Sequence, residues 1–186
     1  MWGIFISLIM IVGTMGFLST NTTNSNSLNS FEYNGYTFEY SGNQIITKIN
    51  DATLKFFITP FDAQSFNVSN EIIKNILNSD KVILSVDPDS QYREIIGLAS
   101  FYVQTDLLSI GKSSESAAVS ENDFGYPIVT CEDATDNTFV IEFIEGNVTE
   151  INPKSKNCIQ LVSNQPYGHL ILRDALAYRL YGIIKE

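Results

Sequence analysis

The chain has 186 residues and a formal net charge of −10, with 21 acidic side chains against 11 basic ones. Binding to nucleic acid or to anionic lipid headgroups depends on clustered Lys and Arg, so this charge balance argues against both as partners. A hydrophobic fraction of 44% and an aromatic fraction of 12% indicate a folded globular domain.

Residues 1–18 form an apolar segment without a charged side chain. As a helix the segment would extend about 26 Å, close to the roughly 30 Å hydrocarbon core of a bilayer. A cleavable signal peptide usually begins with basic residues, but the first basic residue of this chain is Lys48. An uncleaved transmembrane anchor is therefore favoured over a signal peptide. Without flanking Lys or Arg, the positive-inside rule does not orient the span.

Residues 19–30 follow as a Ser-, Thr- and Asn-rich tether with too little apolar surface to fold. The tether contains an N-glycosylation acceptor at Asn21, and two more acceptor tripeptides begin at Asn67 and Asn147. These three sites favour an extracytoplasmic location. Residues 31–186 are enough for one domain with its own core.

The first part of this domain has the period-two alternation that is typical of β-strands. Strands are predicted over residues 33–40, 44–49 and 53–59, with short polar turns between them and Pro60 closing the third. Three successive strands joined by short turns predict an antiparallel meander.

After the meander the period changes to that of alternating helices and strands. Ser69 is predicted to cap a short helix, residues 81–86 form a strand, and a second amphipathic helix runs from about Ile95 to Ile110. This alternation indicates parallel strand pairing. The Ser- and Glu-rich stretch 111–123 is expected to be a loop.

The last third of the chain contains four predicted strands and one helix. The strands cover residues 126–131, 138–144, 149–151 and 158–162, and the helix covers residues 166–181. The second of these strands is apolar on both faces and is therefore expected to be central. The helix has too many apolar residues for a surface stripe and should be buried. We predict an α/β domain in which one mixed sheet, opened by the meander, is covered by three helices.

The two cysteines of the chain, Cys131 and Cys158, are 27 positions apart. Outside the cytoplasm two cysteines in one small domain usually pair, and closing a loop of this size stabilises a fold by about 3.5 kcal/mol. The alternative is two buried thiols in a reducing compartment. The apolar leader and the acceptor sites favour the disulfide. The absence of a C-x-x-C motif argues against a thioredoxin-like centre or a zinc knuckle.

Acidic residues follow the strand predicted at residues 81–86. Asp87 and Asp89, with Glu94 nearby, lie at the strand end where open α/β sheets place ligands. These carboxylates are candidates for catalysis or for binding Mg²⁺ or Ca²⁺. Alternatively, Asp89 or Ser90 caps the next helix and Glu94 stabilises its first turn.

Two further candidates lie later in the chain. Asp133 follows Glu132 at a strand end, where it could act as a general acid or simply hold a turn. His169, the one histidine, would be the base in any Ser-His or Cys-His mechanism, and otherwise an exposed or capping residue at a helix start. No nucleophile motif, EF-hand or Gly-rich phosphate loop occurs, so no metal or cofactor is predicted.

Several short motifs occur together in a known group of proteins. They are Met15–Phe17, Tyr33–Phe38, Asp87–Pro88, Cys131–Thr135, Asn157–Ile159 and Asp174–Ile183. With these motifs the chain resembles, over most of its length, a group of uncharacterised membrane-anchored archaeal proteins with a C-terminal two-cysteine α/β domain. The resemblance implies an archaeal envelope setting and no particular activity.

Two functional hypotheses follow. The first is a non-enzymatic envelope module whose acidic domain binds a partner protein or a surface polymer. The alternative is an anchored hydrolase that uses Asp87, Asp89 and Asp133; carboxylates gathered in one pocket would favour it, and carboxylates spread over caps and turns would favour the module. A third possibility is an accessory subunit of a membrane complex, for which an exposed apolar patch would be the sign.

Overall fold

The computed structural model describes residues 29–49 and 52–185. These residues form two β-sheets and four α-helices, which confirms the predicted α/β class. The predicted single mixed sheet is wrong, because the meander forms a sheet of its own. The predicted anchor and the tether as far as residue 28 lie outside the described residues. Within the described ranges no helix is long and apolar enough to cross a membrane.

The first sheet is the predicted meander, with four strands in sequence order. Its strands are β1 Ser30–Tyr33, β2 Tyr36–Ser41, β3 Gln44–Ile49 and β4 Ala52–Phe56. The single strand predicted over residues 33–40 is split by a turn at Asn34 and Gly35, both of which have positive φ. Asn-Gly is the preferred pair for such a two-residue hairpin turn.

The second sheet has five strands in the order β6-β5-β7-β9-β8. Its strands are β5 Lys81–Val86, β6 Ser114–Ala118, β7 Thr138–Glu145, β8 Glu150–Ser155 and β9 Cys158–Ser163. Strand β5 pairs in parallel with β6 and β7, and β7 pairs in parallel with β9, while β8 is antiparallel to β9. The prediction that β7 is central and the prediction of parallel pairing are both confirmed.

Two segments between β5 and β7 differ from prediction. Strand β6 lies in the stretch expected to be a loop. A loop was expected because the Ser-rich sequence of this stretch has only Ala117 and Ala118 to bury. The strand expected at residues 126–131 is reduced to one bridge between Ala118 and Ile128. The chain then crosses the sheet face through a 3-10 helix, Cys131–Asp133, and packs on Val140 and Cys158.

Within residues 52–185, four helices accompany the sheets. They are α1 Pro60–Ala63, α2 Asn70–Asn78, α3 Arg93–Ser109 and α4 Gly168–Leu180. The sequence predicted α2, α3 and α4, and Ser69 caps α2 as expected by accepting from the Ile72 N–H. Helix α1 was not predicted; its N-cap is Thr59, with Pro60 as the first helical residue.

Helix α4 is largely buried, as its apolar sequence predicted. Its Tyr178 is fully buried, stacks on Phe56 with ring centroids 4.0 Å apart, and meets Phe38 edge-on at 6.1 Å. The Tyr178 hydroxyl donates to the Ile58 carbonyl over 2.7 Å, so its one polar atom is satisfied. The meander is thereby held against the helix.

Candidate functional site

The strongest candidate site is a cleft of about 630 Å³ beyond the carboxyl ends of β5 and β6. Open α/β sheets bind ligands at this end of their parallel strands. Residues after β5 form one wall, and the loop after β6 forms the other. The cleft is lined by Pro88, Asp89, Arg93, Glu121, Asn122, Asp123, Phe124, Tyr126 and Ile128.

The loop wall of the cleft is organised by the Asn122 side chain. Its Oδ1 accepts from the backbone N–H groups of Phe124 and Tyr126 over 3.1 and 3.0 Å, and its Nδ2 donates to the Tyr126 carbonyl over 3.0 Å. Gly125 lies between them with φ +72°, a conformation that other residues rarely adopt. One amide side chain therefore shapes the whole turn.

Both ends of this loop are attached to the sheet. The Val119 N–H donates to the Val86 carbonyl over 3.0 Å, and the Ala118 N–H donates to the Pro127 carbonyl over 2.9 Å. The loop wall of the cleft is therefore joined to the sheet at both ends.

The surface of the cleft combines exposed apolar groups with acidic ones. Phe124 is 69% exposed, Tyr126 and Ile128 are also exposed, and the two rings lie 6.2 Å apart. Three carboxylates surround them, those of Asp89, Glu121 and Asp123, against one cation, Arg93. Large apolar side chains gathered at one exposed place, with polar groups around them, indicate a binding surface.

Next to the cleft, the end of β7 is hydrogen-bonded to the segment that follows β5. Glu145, at the end of β7, accepts from the Ser90 hydroxyl over 2.9 Å and from the Gln91 backbone N–H over 3.2 Å. Hydrogen bonds from the side chains of Gln91 and Ser90 hold the pKa of Glu145 below its ordinary value. Sequence reasoning overlooked Glu145, although an acidic residue closing a central apolar strand was the available signal.

Most of the predicted catalytic carboxylates hold turns and caps. Asp87 Oδ1 accepts from the Asp89 N–H over 3.0 Å, and Asp133 Oδ2 accepts from the Thr130 N–H over 2.8 Å in a capping box. Glu94 is exposed in the first turn of α3. Asp89 is therefore the one predicted candidate that lines the cleft. The other two cleft carboxylates were missed because they lie in the stretch expected to be a plain loop.

His169 is not the exposed or capping residue that the sequence predicted. Its ring is fully buried, and Nε2 donates to the Ile144 carbonyl over 3.0 Å. Burial lowers the pKa of His169. Gly168 allows the start of the helix to pack closely against Ser163. A Cβ at position 168 would lie only 1.8 Å from Ser163 Oγ, so glycine alone permits this packing. A histidine enclosed in this way has no access to a substrate.

The predicted disulfide between Cys131 and Cys158 is confirmed, with the two Cα atoms 5.4 Å apart. Beside it the buried Glu142 carboxylate accepts from the Cys131 backbone N–H and, over 2.6 Å, from Gln160 Nε2. In the part of the chain that the structure describes, these two cysteines and Glu142 are the group whose donor atoms are close enough to hold a metal. The sulfurs are bonded to each other, so they are not available as thiolate ligands.

A separate set of ionisable groups is buried between α3 and α4, and none of them lines the cleft. Arg173 pairs with Asp106 and Asp174, and Asp174 Oδ2 accepts from the backbone N–H groups of Phe57 and, over 3.0 Å, Ile58. Burial raises the pKa of Asp106 and raises that of Asp174 to about 6, although Arg173 opposes both shifts. This network joins the end of the meander to both long helices.

Two of the three predicted glycosylation acceptors can be located. Asn67 lies between α1 and α2, Asn147 lies between β7 and β8, and both are exposed. Asn21 lies outside the described residues.

Comparison with known proteins gives no family for this chain. A scan of protein-family models, a search of curated proteins and a search of solved structures each found no match. The geometry of the cleft is therefore the basis for a proposed function.

Proposed function

We propose that the protein is a membrane-anchored binding module, displayed outside the cytoplasm, whose cleft binds a basic polypeptide segment of a partner protein. One observation carries the proposal: Phe124, Tyr126 and Ile128 are exposed next to three carboxylates in a cleft whose loop wall is hydrogen-bonded internally and at both ends.

The charges of the cleft select a cationic ligand. Carboxylates only accept hydrogen bonds, so Asp89, Glu121 and Asp123 favour a ligand that brings donors and positive charge. The faces of Phe124 and Tyr126 attract the same Lys or Arg groups through cation–π interaction. The net charge of −10 adds a field that speeds the approach of a basic partner.

The arrangement favours binding over hydrolysis. Asp87 and Asp133 are engaged with backbone N–H groups, and His169 is enclosed in the core. The alternative hydrolase would therefore have to use the cleft carboxylates. Incubating the protein with a peptide that binds the cleft distinguishes the two proposed functions. A hydrolase would cleave the peptide, and a binding module would leave it intact.

The apolar segment at residues 1–18, the disulfide and the exposed acceptors Asn67 and Asn147 support the extracytoplasmic placement. A protease added to intact expressing cells should digest the domain together with known surface proteins. Survival of the domain while those proteins are digested would contradict the placement.

A separate experiment, the capture of partners from solubilised membranes, would identify the natural ligand.

Calorimetry on the full chain in detergent tests the cleft directly. We expect a Lys- and Tyr-containing dodecapeptide to bind, and its Glu-for-Lys counterpart and a neutral oligosaccharide not to bind. Replacing Asp89, Glu121 and Asp123 by their amides should weaken binding at least tenfold. The matched control neutralises three exposed carboxylates outside the cleft, those of Glu71, Asp80 and Glu150. Equal losses in both variants would overturn the proposed site.

A further inference from the structure

Helix α3 has apolar side chains on two faces, but within residues 29–49 and 52–185 only one of these faces is buried in the core. Its buried face packs Ile96, Ala99, Val103 and Leu107 into the domain. On the other face Leu98 is 39% exposed, Phe101 60% and Leu108 69%. A surface helix normally keeps its second face polar. The exposed row therefore requires a separate explanation.

The exposed row has the spacing of a helix-pairing seam. Leu98, Phe101, Thr105 and Leu108 are separated by three, four and three positions, and all four are exposed. This alternation of three and four is the pattern by which one α-helix packs along another. We call these four residues the α3 seam.

The α3 seam is also free of charge. From Ile95 to Gly111 the one charged residue is Asp106, which is buried and paired with Arg173. A basic partner would find no carboxylate here, and a protein with a net charge of −10 is repelled by anionic lipid surfaces. The absence of charge, together with the alternation of three and four positions, fits another uncharged helix face.

We infer that the α3 seam binds the same seam of a second copy, with the two helices antiparallel. A twofold axis that crosses the exposed face midway between Phe101 and Thr105 places Phe101 opposite Thr105 of the second copy. It also places Leu98 opposite Leu108 of the second copy. Each large ring then meets a small side chain, and the two leucine pairs close the ends of the seam. A parallel pair would instead set Phe101 against itself, with a gap at Thr105 one turn further on.

The contact is small. A helix of this length extends about 26 Å, and one helix pair buries less than the roughly 1,200 Å² of a standard stable interface. The dimer is therefore weak and depends on concentration. It uses a surface different from the cleft, so the two proposals fail or succeed separately.

Cross-linking tests which residues of the two α3 seams lie opposite each other. Full-length Leu98→Cys and Leu108→Cys proteins in detergent, kept without reductant so that the native disulfide stays closed, are treated with a short bismaleimide. We expect covalent dimers in the mixture of the two variants, at least fivefold more than in either variant alone. Leu77→Cys, exposed on α2, is the control and should give no dimer.

A charge in the seam provides the second test. Phe101→Glu introduced into both cysteine variants should reduce cross-linking at least fivefold, whereas Leu77→Glu in the same background should not. Equal dimer yields from Leu98→Cys alone and from the mixture would overturn the antiparallel pair. A mixture without any dimer at high concentration would also overturn the inference.

Discussion

Arg173 and Asp106 form a two-pronged ion pair that joins helix α4 to helix α3. Arg173 Nε lies 2.7 Å from Asp106 Oδ2, and Nη2 lies 2.6 Å from Oδ1, with both side chains buried. The same guanidinium donates through Nη1 to the Lys55 carbonyl and to Asp174, both within 2.8 Å. One cation thereby connects the meander and the two long helices.

Replacing Arg173 with Met should destabilise the domain strongly. The substitution keeps much of the side-chain volume but leaves Asp106 and Asp174 buried without a cation, for which we expect a loss of about 3–5 kcal/mol in unfolding free energy. Denaturant titration measures the loss. The control is Lys156→Met, which breaks an exposed ion pair with Asp136 and should change stability little. Equal effects of the two substitutions would contradict this account.

Asp174 should make the domain less stable as the pH rises from about 4 to 6. Burial raises the pKa of Asp174 from its ordinary value of 3.8 to about 6. Between these two pH values the folded state holds a proton that the unfolded state has released. The resulting stabilisation of the folded state, about 3 kcal/mol, is complete below pH 3.8 and is lost as the pH rises through about 6. The quantity to measure is the difference in unfolding free energy between wild type and Asp174→Asn at each pH. A difference that grows from pH 4 to pH 6 in favour of the wild type would refute the shift.

Removing both cysteines should cost about 3.5 kcal/mol of unfolding free energy, because the bridge closes a loop of 27 positions in the unfolded chain. The comparison is Cys131→Ser/Cys158→Ser against wild type in denaturant, with reduced wild type behaving like the variant. Mass spectrometry after alkylation without reductant gives the check on the premise. A mass increase on the native protein would show free thiols and contradict the bridge.

Two Gly→Ala substitutions should have opposite signs. At Gly168 the new methyl group would collide with Ser163, so Gly168→Ala should lower stability by about 1–3 kcal/mol, and a second change, Ser163→Gly, should recover part of the loss. At Gly97, an exposed helical position with open space, alanine should stabilise by about 0.5–1 kcal/mol. Thermal unfolding measures the change in stability of each variant. If Gly168→Ala left the stability unchanged, the start of α4 would be loosely packed, contrary to this prediction.

Local sequence patterns were sufficient for the elements that carry a strong local signal. The continuous apolar run of β7 predicted a central strand, Ser69 predicted a helix start, and the density of apolar residues in α4 predicted its burial. Each of these properties depends on neighbours along the chain, through periodicity, capping or the amount of apolar surface to be covered. For the same reason β6 was missed: its local sequence is polar, and only its pairing with β5 makes it a strand.

The amino-acid sequence was thus enough to infer the α/β class and the pairing of Cys131 with Cys158. Packing between distant segments determined the rest: the division into two sheets, the enclosure of His169 and the cleft that sets Asp89 beside Phe124 and Tyr126. These relationships join residues far apart in the chain, and strand order and close helix contacts leave no periodic trace in the segments that they bring together.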